Sequence, residues 1–189
     1  MKLNLSDIAS LASGLYLKPG ISANAMYLQT VSFNEFGKLD NKMKPTVNVE
    51  GRAEKHLLQE GDVLFAAKGT HDLACVYHSE YGLAVASSTF IVLRIKPDFK
   101  SVILPEYLAW YLSVAPEFGR NSQKQLGTTV SSVSIKKLSK LAVKIPKIEK
   151  QHLIIRVKKL HQQETEIMRS LEHLRNEMVQ HMLLKSMTD

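Results

Sequence analysis

A single cysteine, Cys75, stands among the 189 residues, so the chain cannot close a disulfide on itself. A lone thiol suits a reducing compartment, and the default role of Cys75 is that of a small buried hydrophobe. No apolar run reaches the length of a membrane-spanning helix. Met1 to Ser10 holds one lysine and no apolar core, so no signal peptide is expected, and the expected location is cytoplasmic. There is no phosphate-binding loop and no glycine-rich dinucleotide fingerprint. Asp98 after Pro97 could open a nuclease-type carboxylate set, but no Glu-x-Lys follows it. His71, Cys75 and His78 are crowded enough to suggest zinc. A structural zinc site, however, takes four ligands, usually in paired short spacings, and no second pair exists. Cys75 also has no evident base partner for a nucleophile's role. The expectation is a chain without catalytic residues, metal or cofactor, whose work is binding.

What is present begins with charge. The net charge is +7. Residues 1–147 carry 18 Lys/Arg against 12 Asp/Glu, whereas residues 148–189 carry 7 against 6. The excess therefore sits ahead of the C-terminal segment. Within it, Arg120, Lys124, Lys136, Lys137, Lys140, Lys144 and Lys147 fall in a stretch with no acidic residue. Such a stretch suits a polyanion, and equally a solvated basic face.

The second feature is a heptad pattern from about Ile148 to Lys185. With d at Leu153, Leu160, Ile167, Leu174 and His181, the a positions are Val157, Glu164, Leu171 and Met178. Seven of these nine positions are apolar and neither Gly nor Pro interrupts them, which is a coiled-coil pattern. A helix of this length spans about 58 Å at 1.5 Å per residue and needs another long helix along its seam. None of that length precedes it, so the expected partner is another chain, with a second copy of this one as the first candidate. A helix folded back on its own domain is the alternative, though such helices usually show a wider apolar stripe. Glu164 and His181 interrupt the seam, and polar seam residues often set register.

Between residues 1 and 147 the pattern predicts a mixed α+β domain. A short helix from Asp7, capped by Ser6, is expected within Leu3 to Ser13. Strands are expected at Met26–Phe33, Val63–Ala67, Leu73–Tyr77, Ser88–Ile95 and Leu141–Ile145. Leu104-Pro105-Glu106 opens a helix to about Ser113, with Pro in its first turn. A second short helix around Ala115 to Asn121 is plausible from the same pattern, and Ser134 caps a one-turn helix at Ile135–Lys140.

Two polar loops fit nucleic acid. Lys68-Gly69-Thr70-His71 combines a cation, a hydroxyl and a glycine that lets backbone approach a phosphate. Lys124-Gln125, followed by Gly127-Thr128-Thr129 and Ser131-Ser132, offers hydroxyls and amides to phosphates and side chains long enough for base edges. With Arg120, Lys136 and Lys137 these loops favour duplex DNA over other anions. Taken singly, Gly-Thr loops are usually just turns.

The ordered motifs then match a family. They run Leu58-x-x-Gly61-Asp62-Val63-Leu64-Phe65-x-x-Lys68-Gly69-Thr70, Ser88-Thr89-Phe90, and Leu104-Pro105-x-Tyr107-Leu108-x-x-Tyr111-Leu112. Gly127-Thr128-Thr129 and Leu138-x-x-Leu141-x-Val143-x-Ile145-Pro146-x-x-Glu149-x-Gln151 follow. The series resembles the DNA specificity subunit of type I restriction–modification systems over essentially the whole chain. The family usually has a second proline where Lys147 stands. The resemblance implies a target recognition domain at residues 1–147 and a helical spacer and dimerisation region at residues 148–189. Family members usually carry two of each in one chain, so this chain looks like a half subunit. It implies a non-catalytic, sequence-specific reader of half of a bipartite site on double-stranded DNA. It further implies docking to separate methyltransferase and restriction subunits, and a homodimer through Leu153, Val157, Leu160, Ile167, Leu171, Leu174 and Met178. A stand-alone or degenerate DNA-binding or dimerisation module without catalytic partners is the alternative.

Overall fold

The structure is a computed structural model that describes residues 1–20, 22–40, 43–68, 73–114 and 132–187. The chain divides into two compact units, Met1–Gln151 and His152–Asp189.

The first unit is α+β. It opens with β1 (Lys2–Asn4), one helical turn α1 (Leu5–Ile8) and β2 (Ala9–Ser13). The helix expected from Asp7 is thus a single turn that starts earlier, at Leu5. Asn4 rather than Ser6 takes the capping position, and the Asp7 carboxylate accepts the Asn4 N–H at 3.1 Å. Leu5 and Ile8, three apart on one helical face, are fully buried. Ala9–Ser13 is extended because it pairs antiparallel with β7 (Phe90–Ile95), from Ala9↔Ile95 to Ser13↔Ile91. A long-range ladder overrides the local periodicity there.

The remaining strands are β3 (Met26–Leu28), β4 (Val63–Ala66), β5 (Ala74–Val76) and β6 (Ala84–Ala86). The strand expected as far as Phe33 stops at Leu28, where Thr30–Ser32 turns into a 3₁₀ helix. β3 pairs parallel with β6, while a four-stranded antiparallel sheet runs in the order β2-β7-β4-β5. All four residues of β4 are buried, so both faces of the sheet are covered at its centre. On one face Leu64, Ala66, Cys75 and Phe90 join Met26, Leu28, Phe33, Leu39, Ala84 and Ala86 in a core cluster. Phe33 and Phe90 meet edge to face at 5.9 Å. Alternation turns Val63 and Phe65 of β4 to the other side. Helix α2 (Pro105–Val114) lies across β4 and β5 and buries Leu108 and Leu112.

One approach in this unit demands glycine. A Cβ on Gly14 would sit 2.1 Å from the Ser87 carbonyl oxygen. Gly14 donates its N–H to Phe90 at 3.0 Å, which locks the end of β2 against β7.

Helix α3 (Ile135–Ser139) carries its predicted cap: the Ser134 hydroxyl accepts the Lys137 N–H at 3.2 Å. It leads into β8 (Ala142–Lys144), which pairs antiparallel with β1. Two tyrosines one turn apart on α2 secure β8. Tyr107 donates to the Lys144 carbonyl at 2.6 Å and Tyr111 to the Ala142 carbonyl at 3.1 Å. The Gly-free, Pro-free stretch after Pro146 forms one helix, α4 (Ile148–Ser186). Its Gln151 side chain, fully buried, donates to the carbonyls of Val102 (2.8 Å) and Pro146 (2.9 Å) and accepts the Leu104 N–H (2.9 Å).

The second unit is the remainder of α4. Leu153, Val157, Leu160, Ile167, Leu171, Leu174 and Met178 are each 54% to 60% exposed. The seam misfit Glu164 lies 3.6 Å from His161, one turn back on the same helix. Among the described residues, no helix is long and apolar enough to cross a membrane.

Candidate nucleic-acid interface

The site is built outward from the turn before β4. Gly61 adopts a φ of +81°, which an L side chain would oppose, and this swings Asp62 inward. Asp62 is almost wholly buried. It accepts Arg94 Nε at 2.8 Å and Nη2 at 2.7 Å, and the Gln59 N–H at 2.8 Å. Bidentate pairing is the geometry in which a buried carboxylate is satisfied. The hydrogen bonds that Arg94 donates to Asp62 raise the guanidinium's pKa. The pair fixes the start of β4 against β7, so both strands deliver their other ends to one place.

At that place the Thr89 carbonyl accepts the N–H groups of Ala67 (2.8 Å) and Lys68 (3.3 Å). The Ser87 and Thr89 hydroxyls lie 2.6 Å apart. The Ala67 carbonyl in turn accepts the Val133 N–H at 2.9 Å. That bond joins the two segments singled out in the sequence: Lys68 and Ser132, each adjacent to one of its partners, become neighbours. Both are exposed. Lys136 and Lys137 follow on α3, also exposed. The other predicted contact residues (Gly69, Thr70, His71, Arg120, Lys124, Gln125, Gly127, Thr128, Thr129 and Ser131) lie outside the described residues, as does the helix expected at 115–121.

The fold also pairs two exposed cations that the sequence did not bring together. The β1–β8 register sets Lys2 opposite Lys144, both exposed. Like charges directly opposed across a strand pair destabilise each other, a cost that a bound polyanion relieves. No local signal marks Lys2, because its partner lies at the far end of the domain's sequence.

Cys75 and His78 go separate ways. The thiol is buried in the core cluster, while the His78 ring meets Glu60 at 2.9 Å. Among the described residues, no group of three His, Cys, Asp or Glu side chains is placed to hold a metal ion.

The chain belongs to the family described as the type I restriction modification DNA specificity domain, which matches residues 2–176. That family is defined by DNA specificity, and its specificity subunits are non-catalytic. Solved structures agree on the fold. The HsdS subunit from Thermoanaerobacter tengcongensis superposes with a TM-score of 0.60 at 16% identity, over 88% of this chain and 38% of that one. A structure solved for complex assembly and conformational transition of the type I R-M system gives 0.61 at 16%, over 89% and 39%. The type I S subunit from M. genitalium gives 0.52 at 14%, over 90% and 41%. The chain thus spans about two fifths of the length of the solved subunits it matches. No curated protein matches the sequence.

Proposed function

We propose that this chain is specificity-subunit sequence that reads one half of a bipartite site on double-stranded DNA. The observation that carries the reading is the family match. It runs from residue 2 to residue 176 and so includes both the α+β unit and most of the long helix. Residues 1–147 act as the target recognition domain. Lys68 and Ser132, with the contact residues expected next to them in the sequence, contact the DNA, and Lys136 and Lys137 hold phosphates. Residues 148–189 act as spacer and dimerisation region. Two copies pair through the exposed seam and present two identical readers, so the site is a split palindrome. The methyltransferase and restriction subunits dock on the helical region and the adjoining domain face, and supply the chemistry.

Selection of bound duplexes from a random DNA pool, with and without a cognate methyltransferase subunit, tests this. Two inverted identical half-sites at a fixed separation are expected. A pool with no enriched motif under either condition would overturn sequence-specific reading and favour a degenerate dimerisation module. Binding then would fall uniformly with salt.

A further inference from the structure

A small pocket lies on the β2 side of the sheet, away from the residues assigned above. Its floor is formed by β2 and β7, where the register pairs Ser10 with Arg94 and Ala12 with Val92. These residues point to one face. Because Ser10, Ala12, Gly14 and Ala86 are small, the floor stays low and leaves a cavity of about 100 Å³. Above it stand Lys55 and His56, at the end of the 3₁₀ helix Gly51–His56.

The chemistry of the lining is one-sided. Lys55, His56 and Arg94 line it together with Ser10, and among the described residues no carboxylate does. The nearby acids are occupied elsewhere. Glu54 accepts the Gly51 N–H at 2.9 Å, Glu50 accepts the Asn48 amide at 2.8 Å, and Asp62 holds Arg94 from behind. Arg94 commits Nε and Nη2 to Asp62 and Leu57, which leaves Nη1 uncommitted among the described residues. The side chains of Lys55 and His56 make no hydrogen bond or ion pair among the described residues. The Ser10 hydroxyl makes only a long bond, 3.4 Å to the Arg94 carbonyl, and could be redirected to a better acceptor.

We infer that this pocket binds a phosphate group, held by Lys55 and by the Ser10 hydroxyl against the Asp62-anchored Arg94. Arg94 is pre-organised by its buried partner, so it presents its free edge without losing side-chain freedom on binding. The source favoured here is a phosphodiester of the same DNA, and to that extent the inference rests on the proposed reading. Gly14, at the pocket's rim, is bonded to Phe90, and Phe90 follows Thr89, which holds Lys68. The pocket thus runs along β2 from the Arg94 end of the sheet to the end that carries Lys68. Free phosphate or a phosphorylated small molecule is the other source of the same chemistry.

Two measurements on the full chain separate these. In the first, DNA affinity is followed against salt for the wild type, Lys55→Ala and Ser10→Ala. Loss of one phosphate contact in Lys55→Ala lowers the slope of log K against log salt by about 0.9, with the selected motif unchanged. In the second, inorganic phosphate is titrated into the DNA-free protein while backbone amide resonances are recorded. Saturable shifts at Ser13, Gly14 and Lys55, lost in Lys55→Ala, are expected. Phosphate shifts with an unaltered DNA slope assign the site to a free phosphate. The same shifts in a protein that binds no DNA leave the site standing while the DNA reading fails. An unaltered slope together with unshifted amides overturns the proposal.

Discussion

The buried amide of Gln151 accepts the N–H of Leu104 at 2.9 Å, and so ties the first turn of the long helix to the residue just before α2. The same amide donates to Val102 and Pro146. One side chain therefore satisfies three backbone groups at the junction, which accounts for a Gln three residues into a helix that otherwise bears its polar residues outward. Replacing Gln151 with Leu should cost about 3 kcal/mol, since three partly buried backbone groups lose their partner. Gln151→Glu keeps the acceptor for Leu104 but sets an anion against two carbonyls, and should be no milder. Urea unfolding monitored in the first unit measures both. A loss below roughly 0.5 kcal/mol for Leu would show that water replaces the amide.

Much of this arrangement was legible in the sequence, for reasons that differ by residue. The cap at Ser134, the Pro-initiated α2 and the β-rich runs at Val63 and Phe90 declare themselves locally, through side-chain chemistry and propensity. Ala9–Ser13 does not. Its apolar spacing reads as a helix, and only the ladder to Phe90–Ile95 makes it a strand. The site follows the same division. Lys68 and Ser132 could each be singled out as loop residues beside Gly-Thr or Ser-rich runs. That the Val133 N–H meets the Ala67 carbonyl, and that Lys2 faces Lys144, are facts of tertiary pairing with no local signature.

Gly14 illustrates a position whose identity is dictated by a neighbour. With a Cβ 2.1 Å from the Ser87 carbonyl, Gly14→Ala must part β2 from the segment after β6. A destabilisation of about 1–3 kcal/mol is expected, as for other overpacked sites. Thermal unfolding checks it: an unchanged midpoint would mean that the Leu15–Ala86 pairing, a 2.9 Å bond beside the clash, yields without cost.

Acid should loosen the contact between the turn before β4 and the segment after β5. Glu60 accepts the Ser79 N–H at 2.6 Å and faces His78 at 2.9 Å, and these bonds lower its pKa from 4.5 to about 2. A depressed carboxylate contributes stability that is fully present above the unfolded value of 4.5 and is lost as pH falls toward 2. The group is exposed, so solvent screening holds the contribution to under about 1 kcal/mol. Glu60→Gln should flatten stability against pH between 5 and 2 and lower the plateau above pH 6 by that same contribution. A variant whose acid limb coincides with that of the wild type would remove Glu60 from the account.

The exposed stripe of α4 leads to a prediction about assembly. Leu171 and Leu174 occupy consecutive a and d positions, and both are more than half exposed, as are the five seam residues around them. A helix with mean hydropathy low enough for solvent still loses free energy along such a stripe, at about 25 cal/mol for each Å² of apolar surface left in water. Pairing with a second copy covers the stripe and leaves the polar faces outward. Glu164 beside His161 interrupts the seam near its middle, which penalises registers that set it against an apolar residue. Replacing Leu171 and Leu174 together with Asp puts two charges into that contact, and the wild-type dimer should become a monomer by sedimentation equilibrium. The α+β unit, which ends at Gln151, should keep its unfolding midpoint. If the variant keeps the wild-type mass, the seam does not hold the copies together. If the wild type is itself a monomer, the stripe serves a different chain, and the half-sites selected from random DNA should then be single rather than inverted pairs.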